Sequence, residues 1–598
     1  MTMPKTLLPV LAAALLGCSQ GEAPAPAAPA ASSDASDRLH EAVEAYFEEL
    51  LVLNPLFATF IGDNRFNDDL GNSIGPEYLR ASKALEVEYL ERVGDIDPAD
   101  LEGQDLLTHE IFVQDRRTAI DGFRFPAELL PVDQQSGLPS FFAQLGSGAS
   151  VQPFATVKDY EDFLGRATDF PVWVDQAIAN MREGIEKGVV QPRVLMVKTL
   201  PQLEAHLVED VEKSLFYMPV SNMPDSIAGA ERERLTAAYT EAIREQIVPA
   251  YRRLHEFIRD EYLPGTRDSF GISALPNGQA WYSYQVRTNT TTDVAPEAIH
   301  AIGLDEVARI RSEMELVMKE VGFEGTLADF FEHVKTDDRF YYDDAEALLD
   351  GYRALQARLD ARLPELFSTF PNADFEIRPV EAFRAESAAG GSYQPASPDG
   401  SRPGVFYVNT FNLRAQPKFG METLYLHEAA PGHHFQISLQ QEVESLPRFR
   451  RFGGYTAFVE GWALYAESLG RDLGLFADPY QYYGRLNDEM LRAMRLVVDT
   501  GLHSKEWTRE QAIDYMLANS SMADTDVVSE VERYIANPGQ ALAYKLGQLK
   551  ISELRREAEA ALGDKFDVRE FHAALLLDGA LPLGVLEDKI ERWIEEQS

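Results

Sequence analysis

His427-Glu428-Ala429-Ala430-Pro431-Gly432-His433-His434 holds three of the 11 histidines in this 598-residue chain, one of them followed directly by a glutamate. Further on comes Phe458-Val459-Glu460-Gly461-Trp462-Ala463-Leu464-Tyr465-Ala466-Glu467. Two histidines, a glutamate beside the first and a later glutamate on a second helix are the donors and the base that a zinc hydrolase needs. Phe458, Trp462, Tyr465 and Leu469 recur at helical spacing, which predicts a packed helix carrying Glu460. A carboxylate among Val, Trp and Leu is costly unless it is paired or metal-bound.

The spacing is unusual. In the familiar zincin helix two His sit four residues apart on one face, with the glutamate between them. Here His433 follows His427 by six residues and His434 by seven. On an unbroken helix six residues point elsewhere, and seven rise about 10 Å, too far to share one ion. Pro431 has no N–H, and its ring clashes with the carbonyl of His427. Gly432 then permits an irregular turn. A bulge at Ala430-Pro431-Gly432 is expected to return His433 to the ligand position, with His434 as the alternative ligand.

With these motifs on the page, the chain resembles a bacterial lipoprotein family catalogued as domain of unknown function 885, grouped with the gluzincin metallopeptidases. Arg402-Pro403-Gly404, Asp499-Thr500-Gly501-Leu502-His503 and the run Pro538 to Gly547 look like further family signatures. Gly432 to Glu460 is also similar to angiotensin-converting-enzyme-like peptidases, where Gly-His is followed by a glutamate ligand on the next helix. The resemblance implies a large helical hydrolase fold. It implies zinc on His427, His433 and Glu460, one ion per chain, with Glu428 as the base. Two extra residues separate Glu428 from His433. Leu464 stands where those relatives often carry an Asp that supports the first His, and Glu467 is the available substitute.

Composition narrows the rest. Net charge is −42 and the pI about 4.6, which disfavours nucleic acid as a partner. The single cysteine is Cys18, closing Leu15-Leu16-Gly17-Cys18 after the apolar run Thr6 to Leu16. This reads as a signal peptide over 1–17 and a lipidated Cys18. Residues 18–37 form an Ala/Pro/Ser tether, and the helical domain spans 38–598, with lobes near 38–270 and 271–598. The lipid is the expected membrane contact, on the periplasmic side of the outer rather than the inner membrane.

From about residue 38 helical periodicity dominates, over 39–53, 76–93, 157–188, 230–263 and 296–321. Leu200 to His206 also reads as a helix, with Pro201 in its first turn. Strand-like pattern is confined to Phe375–Val380 and Gly404–Asn409, with a loop from Gly390 to Pro403 between them. The fold class is therefore mainly α with a small sheet or ribbon ahead of the metal helix. An extended peptide could add to its edge, and Tyr393 and Arg402 are the candidate substrate contacts there. Arg492, Arg495, Asp499 and His503 form a polar stripe through an otherwise apolar helix, which suits either an ion ladder or a cleft wall. Arg495 is a candidate substrate contact, and His503 a candidate for steadying an oxyanion. Downstream tyrosines do the latter in the similar peptidases, so Tyr544 comes first and Tyr534 second. The expected activity is hydrolysis of small or extended peptides by metal-activated water. The alternatives are hydrolysis of a non-peptide amide or ester, and non-catalytic peptide binding.

Overall fold

In the computed structural model, the described residues are 31–135, 137–381, 385, 389–397, 400 and 402–598. The signal segment, Cys18 and most of the tether lie outside them. Helices dominate, as the periodicity predicts. The first, α1, spans Ala31–Leu53, beginning within the segment read as tether. It packs with Pro76–Gly94 and with α2, Gly103–Gly122. The helix Val157–Lys187 begins at a capping box between Thr156 and Asp159 and ends at left-handed Gly188. That pairing satisfies backbone donors left over at the first turn.

The long segment read over 230–263 remains helical but carries two wide π turns, Ile243–Ile247 and Ile258–Tyr262. The short helix expected from Leu200 begins earlier, at Arg193. Pro201 therefore lies in its last turn rather than its first, where a missing donor disturbs few remaining bonds. Helix α3, Pro296–Glu320, starts at the predicted proline with Glu297 in its first turn.

Strands β1 (Phe375–Pro379), β2 (Gly391–Gln394) and β3 (Gly404–Val408) form one sheet in the order β1-β3-β2. β1 runs parallel to β3, and β2 runs antiparallel to it. β2 falls where the sequence reads as loop. Its Gly-Ser-Tyr-Gln has little strand preference, and pairing with the fully buried β3 makes it a strand.

Five further helices build the site: α4 (Met421–Glu428), α5 (His433–Glu442), α6 (Thr456–Ser468), α7 (Pro479–Ser504) and α8 (Asp524–Ala536). A sixth, α9 (Leu542–Leu562), lies along α6. Their backbones touch where Gly461 meets Gly547: a Cβ on Gly547 would stand 1.8 Å from the Ala457 carbonyl oxygen. α7 lies along α3 and also meets α4, α8 and α9. One apolar cluster takes Phe142, Trp173 and Tyr251 from the first half and Met494, Val497 and Val527 from the second, so the two halves share a core. No helix among the described residues is long and apolar enough to cross a membrane.

Candidate metal centre

The bulge expected inside one helix is a complete break. α4 stops at Glu428, Ala429 leaves helical geometry (φ −101°, ψ −112°), and α5 starts afresh at His433. Gly432 is what lets the chain turn so tightly. A Cβ there would lie 1.9 Å from the His427 carbonyl oxygen and 2.3 Å from that of Leu426, inside any van der Waals contact. The Trp462 indole donates to the Pro431 carbonyl at 2.8 Å, tying the turn to α6.

Three side chains converge across the break. His427 Nε2 lies 3.6 Å and His433 Nε2 3.5 Å from Glu460 Oε2, and the two imidazoles stand nearly perpendicular at 85°. Ligands about 2.1 Å from one tetrahedral ion lie about 3.4 Å apart, so the observed separations fit such an ion. Glu460 Oε2 and His433 Nδ1 are buried with no hydrogen-bond partner. The donor set, two imidazole nitrogens and one carboxylate oxygen, is one that Zn²⁺ takes with a position left open.

Glu467 sits behind His427, with Oε1 2.8 Å from Nδ1. It occupies the supporting place that Leu464 leaves vacant. Both residues are almost fully enclosed. Burial alone would lower the His427 pKa, but the facing Glu460 carboxylate, the hydrogen bond to Glu467 and the charge of Glu428 hold it up at about 9. Burial works to raise Glu460, yet the two imidazoles facing it, His433 first and then His427, hold it well below the usual carboxylate range. Glu428 is buried beside His427.

His434 is turned away from the cluster. Its Nδ1 lies 2.9 Å from the Tyr393 hydroxyl, and its ring packs on Phe375. Burial lowers its pKa to about 4. The Tyr393 hydroxyl is thereby committed to α5, and Arg402 is close enough for its charge to act on it. Tyr393 thus ties β2 to α5.

The polar stripe of α7 divides. Arg495 pairs with Glu530, accompanied by Tyr534, whose hydroxyl donates to the same carboxylate at 2.6 Å. Its guanidinium also lies 4.4 Å over the Tyr544 ring. Arg533 donates to the Tyr544 hydroxyl at 3.1 Å. Tyr534 is fully buried in this ladder, which removes it as a substrate contact. The structure also does not bring His503 to the cluster. Its Nδ1 accepts from the Ile272 N–H, its Nε2 donates to the Tyr534 carbonyl, and no surface is exposed. Both nitrogens are spent on backbone, so it cannot meet an oxyanion. Asp499 likewise holds Tyr282 and the Gly539 N–H.

Asp488 is the residue that the sequence reading passed over. It lies one turn before Arg492 on the same stripe. Burial among protein atoms lifts it to about 6, and it feels the charges of Arg492, Glu467, His427 and Arg495. Yet 30% of its side chain meets solvent. Its spacing from Arg492 and Arg495 was the available signal.

With this geometry in view, the profile of the family described as bacterial protein of unknown function, DUF885, matches residues 55–590. The chain belongs to this family. A solved chain from Colwellia psychrerythraea, named as a lipoprotein, is 31% identical. It covers 95% of this chain and 100% of its own, with a TM-score of 0.88. A second, from Shewanella oneidensis, named as a lipoprotein of unknown function, is 16% identical. It covers 94% of this chain and 99% of its own, with a TM-score of 0.70, and shows a shared fold alone. No curated protein matches.

Proposed function

We propose that this DUF885 chain is a zinc-dependent peptidase, anchored by lipid on Cys18 and acting outside the inner membrane. The observation that carries the reading is the convergence of His427, His433 and Glu460 at the separations of a tetrahedral site. Zinc bound there would polarise a scissile carbonyl and acidify a water. Glu467 accepts a hydrogen bond from the Nδ1–H of His427, so the Nε2 lone pair is directed inward. Glu428 accepts a proton from the attacking water and returns it to the leaving amine. The Tyr544 hydroxyl accepts from Arg533, which frees its own proton to be donated to a developing oxyanion. Asp488, part of whose side chain meets solvent, stands beside the approach.

A peptide fits this setting because β2 packs on Leu424 of α4 and reaches α5 through Tyr393. Its outer edge has no strand partner among the described residues. An extended substrate pairing there would lie beside the metal helices. The resemblance of the Gly432-to-Glu460 stretch to the pattern of angiotensin-converting-enzyme-like peptidases, a reading of the sequence alone, points the same way.

The test is metal content by mass spectrometry together with cleavage of a peptide library by the full chain. About one zinc per chain is expected, as one tetrahedral site requires. It should be lost in His433→Ala and kept in His434→Ala and Glu428→Gln. Cleavage by Glu428→Gln should fall about 100-fold or more. Unchanged cleavage by that variant, or no zinc after dialysis against it, overturns the reading.

A further inference from the structure

Outside the metal cluster, a cavity of about 410 Å³ is lined by Arg193, Lys198, Arg267 and Arg509, with Glu532 of α8 and Asp268 as the carboxylates of its wall. Four cations against two anions make a local surplus of positive charge in a chain of net charge −42. The rest of the lining is apolar: Val194, Val197 and Phe270. Val197 is 47% exposed. Cations beside accessible apolar surface suit a ligand that carries both an anionic group and a hydrocarbon part.

The four cations are not equivalent. Lys198 and Arg509 both pair with Glu532, the latter at 2.8 Å. Arg193 and Arg267 pair with no carboxylate among the described residues. The Arg193 N–H donates to the Arg267 carbonyl at 2.9 Å, which holds the two residues side by side. Backbone fixes the Arg267 guanidinium. Its Nε donates to the Val190 carbonyl at 3.0 Å, and its Nη1 to the carbonyls of Ser269 and Gly271 at 2.5 and 2.8 Å. Its Nη2 has no partner among the described residues and is not sealed from solvent. Burial pushes the Arg267 pKa down to about 10, opposed by Tyr262. A cation that has lost water and gained only carbonyls lacks compensation that an anion would restore. Arg193 and Val194 also open the helix Arg193–Glu204, whose positive end favours an anion.

We infer that this cavity binds a small carboxylate carrying an aliphatic tail, in the class of medium-chain fatty acids. The carboxylate meets Arg267 and Arg193, and the tail covers Val194, Val197 and Phe270. A single negative charge fits best. Lys198 and Arg509 already share Glu532, and the exposed Asp268 disfavours a second anionic group. The volume is that of about fourteen waters, room for the roughly ten heavy atoms of octanoate. The inference does not rest on the metal reading, since no residue of the metal cluster lines this cavity.

The test is equilibrium dialysis of the full chain against radiolabelled octanoate, with unlabelled octanoate, acetate, 1-octanol and inorganic phosphate as competitors. About one octanoate per chain should bind. Acetate and phosphate, which lack the tail, and 1-octanol, which lacks the charge, should each compete about tenfold more weakly than octanoate or worse. Val197→Asp puts an anion on the exposed part of the apolar wall. It should weaken octanoate about tenfold or more at an unaltered melting temperature. Arg267→Gln should weaken it as much. Should that variant unfold for want of its carbonyl bonds, Val197→Asp and the competitor ranking on the wild-type chain decide. No retained label up to about 10 mM octanoate overturns the inference. Equal competition by 1-octanol marks an apolar surface alone and overturns it too. Tighter binding of phosphate marks an anion site without a tail, and unchanged binding in Val197→Asp places octanoate elsewhere; either result overturns it.

Discussion

At the scale of single residues, the support behind the first histidine is the most informative contact. Glu467 stands two helical turns after Glu460 on α6, so one helix supplies both a candidate ligand and the group that orients another. Replacing Glu467 by Gln keeps the size and one hydrogen bond but removes the charge. Zinc affinity should then fall about 10- to 100-fold with little change in fold, as read by competition with a chromophoric chelator. An affinity equal to wild type would show that Glu467 only fills space. The same logic separates Tyr544 from His503. The tyrosine hydroxyl accepts one hydrogen bond and keeps its proton available, whereas both imidazole nitrogens of His503 are consumed. Tyr544→Phe should therefore lower kcat by about 10-fold or more at unchanged zinc content. His503→Gln should act on stability, by about 1–3 kcal/mol for the backbone partners left unsatisfied, measured by urea unfolding.

At the scale of elements, the break between α4 and α5 does the positioning. Two short helices, eight and ten residues long, meet at a turn whose tightness depends on one missing Cβ. Gly432→Ala should cost about 3 kcal/mol or more by overpacking against backbone that cannot yield. It should also abolish zinc binding, because His433 moves with the turn. Gly584→Ala makes a suitable control, since a Cβ there meets nothing within 4 Å. Denaturant unfolding beside metal analysis would separate the two effects. Equal behaviour of the two variants would mean that the turn is looser than its contacts imply.

At the scale of the whole molecule, buried neutral histidines tie stability to pH. Burial lowers His503 to about 4 and His572 to about 3, against an ordinary value of 6.5. Both are fully enclosed, and each has both nitrogens engaged by hydrogen bonds. Between those values and 6.5 the unfolded chain binds protons that the folded chain does not. Their contribution is thus intact above about pH 6.5 and is lost as pH falls. Each group should cost about 2 kcal/mol on going from pH 6.5 to pH 5. Asp499 opposes them. Burial raises it to about 7, so it favours the folded chain as pH falls through the same window. Melting curves of wild type beside His572→Gln should isolate the histidine term, with a shallower pH dependence in the variant. Identical slopes would refute it.

The fold class and the residues of the candidate metal cluster were legible in the sequence for physical reasons. Helical periodicity over hundreds of residues leaves few ways to bury the apolar faces. Histidine, glutamate, proline and glycine in the motif window each have a narrow chemistry. Which histidine joins the cluster is decided at short range, by a glycine that lets the chain fold back onto the end of α4. The remaining features depend on contacts between distant segments. β2 exists because β3 pairs with it. His503 is sealed by Ile272 and by the Tyr534 carbonyl, 231 and 31 residues away. Asp488 comes within reach of the charges of His427 and Glu467 only because α7 meets α4. A linear pattern states which residues are polar and how they are spaced. Whether a polar side chain spends its hydrogen bonds inside the protein, or keeps one for something else, is decided by the partners that tertiary packing brings within about 3 Å.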